Sequence, residues 1–140
     1  MTFSYPDSQP EPTSWTAVDL ANGKADLTVQ LSAEQQSGLR TAAQDLVASG
    51  QPLASFTNHM QPTDVLSETL RRAAREVDSG RGIVILQGIP LAESSLAEIE
   101  AMYWLLGLQF GTPVSQSVMG ERLGHVEDVS DIDPDARAYR

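Results

Sequence analysis

Arg81-Gly82-Ile83-Val84-Ile85-Leu86-Gln87-Gly88-Ile89-Pro90, followed by Ser95-Leu96-Ala97-Glu98-Ile99-Glu100-Ala101-Met102-Tyr103-Trp104-Leu105-Leu106-Gly107, reads as a strand and then a helix. Gly82 to Leu86 is an unbroken apolar run with β-branched residues, which suits a strand covered on both faces. Gly88 and Pro90 close it, because glycine turns the chain freely and proline offers no ladder N–H. Ser95 and Glu98 have the spacing of a capping box, so a helix starts there. Leu96, Ile99, Met102, Tyr103, Leu106 and Phe110 then recur at helical spacing and predict a wide apolar face, central to the core. The same spacing assigns Tyr103 and Trp104 to the interior.

Working back towards the N-terminus, the segment from near Pro62 to Asp78 predicts a second helix. Val65, Leu66, Thr69, Leu70, Ala73 and Val77 form its inner stripe, and Ser79-Gly80 stops it. Arg71, Arg72 and Arg75 alternate with Ala73 and Ala74 and read as a solvated helix face. Ser32 with Gln35 is an earlier capping box, opening a helix that buries Leu39, Ala42, Ala43, Leu46 and Val47 and ends at Gly50 and Pro52. Before it, Leu27, Val29 and Leu31 alternate with polar residues, the period of a half-buried strand. Trp15 to Leu20 reads as another short strand, and Asn22-Gly23 as the tight turn joining the two into a hairpin. Residues 1–14, with Pro6, Pro10 and Pro12 among polar residues, form a loose leader. The expected organisation is thus a leader followed by one region from residue 15 to residue 140.

Beyond Phe110-Gly111 the pattern changes. Thr112-Pro113-Val114-Ser115-Gln116 predicts a loop entering an extended segment, Gly120 a turn, and Leu123 to Val129 a strand. The fold class is α+β, with helices packed on a few short strands. Those strands are too few to cover the third helix, and the chain is therefore expected to be the opening of a larger fold.

Composition narrows the function. With 19 acidic and 9 basic residues the net charge is −10, which opposes binding to a phosphate backbone, so no nucleic acid is expected as a partner. No apolar run reaches the ~20 residues of a membrane span, and the N-terminus lacks the basic and apolar regions of a secretory signal. The absence of cysteine excludes disulfides and thiolate metal sites. A cytoplasmic protein without a membrane partner is the expectation.

Three stretches carry a resemblance. The first is Arg81 to Pro90; the second runs from Tyr103-Trp104-Leu105-Leu106-Gly107 through Phe110-Gly111-Thr112-Pro113-Val114-Ser115-Gln116. The third is Leu123-Gly124-His125-Val126-Glu127-Asp128-Val129, followed by Arg137-Ala138-Tyr139. In order and spacing they resemble the N-terminal third of the taurine dioxygenase-like (TauD/TfdA) family of iron(II)/2-oxoglutarate-dependent dioxygenases. The resemblance covers residues 15–140 and is strongest from residue 81 onward. It implies the N-terminal part of a double-stranded β-helix (jelly-roll) fold. It also implies an oxidoreductase that uses Fe(II) and 2-oxoglutarate to hydroxylate a small-molecule substrate. Two histidines and a carboxylate hold iron in such enzymes, leaving positions open for cosubstrate and oxygen.

In the family, the His-x-Asp motif comes after the stretch at which this sequence ends. The distal histidine and the arginine that grips 2-oxoglutarate come later still. The resemblance therefore implies no catalytic residue within this chain, no cofactor bound by it alone, and no activity without those later residues. His125, Glu127 and His59 would make a two-histidine, one-carboxylate set on paper, but that set uses every histidine in the chain. The resemblance places His125 upstream of the metal motif, so metal ligands are expected to be absent. Asp128, Asp131, Asp133 and Asp135 lack the glycine and distal glutamate of a calcium loop and read as a solvated acidic run. The resemblance puts Ser115 and Gln116 beside the substrate pocket, with Gln116 the better candidate for a substrate contact. Loop polar residues of this kind also serve their own backbone. A non-catalytic interaction module, self-associating through apolar surface, is the alternative.

Overall fold

The computed structural model describes residues 15–21, 27–57 and 64–126 of the chain. Its elements run α1 (Ala17–Ala21), β1 (Thr28–Gln30), α2 (Ala33–Ala48), a 3-10 turn (Leu53–Ser55), α3 (Asp64–Ser79), β2 (Ile85–Gln87) and α4 (Leu96–Gly107). The architecture is mixed α/β.

Both long capped helices start where the sequence places them. Ser32 Oγ accepts from Gln35 N at 3.2 Å while Ser32 N donates to Gln35 Oε1 at 2.9 Å. Ser95 and Glu98 repeat the exchange at the start of α4, at 3.3 and 2.6 Å. Each box satisfies two donors that the first helical turn leaves without partners. The Ser95 backbone N–H holds the Glu98 carboxyl below the usual carboxylate range, helped by the side chains of Gln44 and Ser95. A lowered folded-state pKa stabilises the fold above the carboxyl's ordinary pKa. That contribution disappears as pH falls through the lower, folded value. Glu98→Gln keeps an acceptor for Ser95 but does not titrate, so its loss of stability in acid should be shallower than the parent's. Parallel acid-unfolding curves of the two proteins below pH ~4.3 would reveal no difference if Glu98 were unimportant.

The two strands pair in parallel, with Thr28 opposite Ile85, Val29 opposite Leu86 and Gln30 opposite Gln87. The bonds Ile85 N to Leu27 O and Leu31 N to Gln87 O, at 2.8 and 2.9 Å, close the two ends. This corrects the expected hairpin. Ala17–Ala21 is helical, the proposed Asn22-Gly23 turn lies outside the described residues, and β1 takes its partner from across α2 and α3. The alternation itself holds: Leu27 and Leu31 are buried while Thr28 and Gln30 are exposed. Periodicity reports which face is buried, not which strand lies alongside.

A second correction concerns β2. Ile83 and Ile85 are exposed and Val84 and Leu86 only half-buried, so among the described residues the strand is covered on one face at most. The expected strand at Leu123 is also not formed within residues 123–126; Glu127 to Val129 lie outside the described residues. So do the leader at residues 1–14 and the acidic run from Asp128 to Asp135.

The core joins α2, α3 and α4, with α2 in contact with both of the others. Leu39, Ala43 and Leu46 of α2 join Leu66 and Leu70 of α3 and Ala101, Met102, Trp104, Leu105 and Leu106 of α4. Leu31, Phe56 and Leu108 complete it. Trp104 also donates its indole N–H to the Phe56 carbonyl at 3.3 Å, giving a buried polar group its partner. The expected inner stripe of α4 is half right. Met102 and Leu106 are buried, but Leu96 and Tyr103 are each 66% exposed and Phe110 is 42% exposed. The C-terminal half of α4 is apolar nearly all round, so spacing alone could not select the inward face. On α3, Leu66, Leu70 and Ala73 point inward as expected, whereas Val65 and Val77 are exposed. Arg71, Arg72 and Arg75 form a solvated face, with Arg71 and Arg75 both reaching Glu68.

Candidate functional site

The outward face of α4 is not bare. The segment after Gly111 runs back along it, and between them lies a groove of roughly 700 Å³. Leu96, Ile99 and Tyr103 supply the helix wall, one face at i, i+3 and i+7 spacing. Leu123 supplies apolar cover opposite, with the exposed Val126 at the rim, and Gln116, Arg122, Glu100 and His125 the polar groups. A concave, largely apolar surface with a few polar groups is how small-molecule sites are commonly built.

A tight turn shapes the polar side. Gln116 N donates to Glu121 O at 2.6 Å and Gly120 N to Ser117 O at 3.1 Å. Gly120 takes φ 86°, a left-handed backbone that favours glycine. Ser117 Oγ donates to Glu121 Oε2 at 2.9 Å across the same turn. This closure brings Gln116 and Arg122 to the turn's two ends, facing one groove. His125 then meets Glu100 of α4, Nε2 to Oε1 at 2.6 Å, fastening the segment to the helix.

The two sequence-derived candidates separate here. Gln116 lines the groove, although one amide proton is engaged by the Val114 carbonyl at 3.1 Å. Ser115 does not line it; its hydroxyl donates to Ser117 O at 2.7 Å, a loop-backbone role. His125 is in the groove wall. His59 and Glu127, the other two members of the two-histidine, one-carboxylate set, lie outside the described residues. Among the described residues no three His, Cys, Asp or Glu side chains gather as a metal ion would require. His125 and Glu100 by themselves are not the two-histidine, one-carboxylate set of an iron centre, and the described residues add no group that completes one. Among the described residues no helix is long and apolar enough to cross a membrane.

Arg122 and Glu100 escape a reading of the sequence. Glu100 sits one position past Ile99 on a stripe whose spacing points to the core, and Arg122 carries no motif. Only its rarity in an acidic chain could flag it. The chain matches no protein-family profile and no curated protein.

Proposed function

We propose that the chain is the N-terminal portion of an Fe(II)/2-oxoglutarate-dependent oxygenase of the taurine dioxygenase-like kind, acting on a small molecule. The observation that carries this reading is the convergence of residues from two of the resembling stretches. Tyr103 and Gln116 come from the second stretch and Leu123 to Val126 from the third, and all line one groove on α4. In the resemblance, this region borders the substrate. The contribution of this chain is then a substrate-facing wall: apolar side chains from α4, and donors from the turn at residues 116–122. Iron, when bound, would supply the oxidative chemistry through ligands that the family carries on the C-terminal side of this region.

Two measurements test the reading. A His-x-Asp motif encoded within a few tens of codons beyond Arg140 would support it, and a stop codon there would overturn it. The 140-residue chain, given Fe(II), ascorbate and 2-oxoglutarate, is expected to release no succinate above the protein-free background. Iron-dependent succinate release would show that the ligands are in this chain after all.

The interaction-module reading is favoured by a separate observation. Leu96, Tyr103, Val114, Val118, Met119 and Val126 are all more than 60% exposed, an apolar surface of the sort that partners cover. Concentration-dependent sedimentation of the isolated chain would support it, and a monomer at all concentrations would remove it.

A further inference from the structure

Most cations of the described chain are already paired. Arg40 meets Glu93, Arg71 and Arg75 meet Glu68, and Arg81 meets Glu76. Arg122 has no carboxylate within ion-pair distance among the described residues, in a chain with 19 acidic and 9 basic residues. Arg72 shares that lack but stands on the exposed face of α3. Arg122 differs because it lines the groove on α4 and also the smaller cleft beside Trp104 and Pro113. The other groove of similar size, between α2 and residues 89–93, has its arginine, Arg40, held by Glu93.

A guanidinium presents planar, paired N–H donors that match a carboxylate. Gln116 adds a second donor, since the Val114 carbonyl engages one of its two amide protons and the other remains. Glu100 is the opposing charge in the groove, but its Oε1 is taken up by His125. Tyr103 and Ile99 form an apolar floor along α4. We propose that this groove binds a small monocarboxylate with an apolar body. Its carboxylate sits on Arg122 beside Gln116, and its body lies against Tyr103 and Ile99. The proposal rests on the oxygenase reading only for its meaning, as the substrate class of that wall; binding itself needs no iron.

Phenylacetate and its neutral isostere phenylacetamide, titrated into the ¹⁵N-labelled 140-residue chain, separate charge from shape. The expected result is saturable phenylacetate binding that shifts the amides of Tyr103, Leu123 and Arg122, with phenylacetamide weaker by about tenfold or more. Arg122→Gln should lose about that factor for phenylacetate and nothing for phenylacetamide, while Arg122→Lys falls between, keeping charge without the fork. Arg122 is exposed, so both variants should fold, which their amide spectra check. Equal affinity for the two probes, no saturable binding, shifts centred on Arg40, or indifference to Arg122→Gln would each overturn the proposal. None of these outcomes bears on succinate release or on the codons past Arg140, so the two readings fail separately.

Discussion

Leu105→Ala will lose about 2–5 kcal/mol of stability, whereas Tyr103→Ala, two residues away on the same helix, will lose less than about 1. Leu105 is 1% exposed and belongs to the cluster shared by α2, α3 and α4. Removing its isopropyl group forfeits transfer free energy and leaves a cavity that the surrounding cluster can fill only by shifting. Tyr103 is 66% exposed, and its truncation trades groove wall for water. A domain of this size is stable by about 5–15 kcal/mol in total, so the Leu105 loss is a large part of the whole. Urea unfolding at unchanged slope would measure both. Equal losses at the two positions would mean that the Leu96–Tyr103 stripe faces inward, as periodicity alone suggests.

Gly88→Ala will cost about 2 kcal/mol or more, from two sources that act together. Gly88 directly succeeds β2 with φ 88°, where an L side chain carries a steric penalty of about 1–2 kcal/mol. A Cβ there would also come within 2.6 Å of Gln30 Nε2 and 2.8 Å of Gln36 Nε2. Those amides can swing away, but they are in use. Gln36 donates to the Leu31 carbonyl at 2.9 Å, and Gln30 reaches the Leu31 and Gln87 carbonyls at 3.3 and 3.4 Å. Displacing them uncovers acceptors where the strand pair ends. Gly107→Ala is the control: it lies in α4 with negative φ and open space where the methyl would go. That change should leave stability equal or raise it by about 0.5 kcal/mol. Thermal melts should fall for Gly88→Ala and hold or rise for Gly107→Ala, and a parallel fall would contradict the account of Gly88.

Local signals in the sequence are legible because local chemistry produces them. Ser32 with Gln35 and Ser95 with Glu98 announce helix starts through bonds made within four residues, and no distant element can overrule them. The burial alternation at Leu27, Val29 and Leu31 survives for the same reason. Inferences about partners fare worse. Asn22-Gly23 suggests that β1 pairs with its neighbour in sequence, yet its partner is β2. On α4, periodicity finds the stripe of Leu96, Ile99 and Tyr103 but sends it to the core. A helix apolar on most sides leaves two faces to choose from, and the choice belongs to α2. The groove inherits that ambiguity. Gln116 is reachable through resemblance, while Arg122 and Glu100 become visible only when the turn at residues 116–121 brings the segment back against the helix.

The parallel pairing of β1 with β2 has a kinetic side. Gln30 and Gln87 stand opposite one another, 57 residues apart in the chain. Closing a flexible ring of that length costs about 4 kcal/mol of chain entropy, and only a three-residue ladder offsets it. The pair therefore cannot nucleate folding. Helices α2 and α3, adjacent in sequence and in contact, are expected to condense first and shorten the span, with the strands zipping afterwards. Refolding rates should accordingly slow when Leu39 is truncated and stay nearly unchanged when Leu86 is, with the Leu86 loss appearing as faster unfolding. A slowed refolding limb for Leu86→Ala would place the strands in the nucleus instead. On this account the seam between β1 and β2 is expected to open before the helical core does.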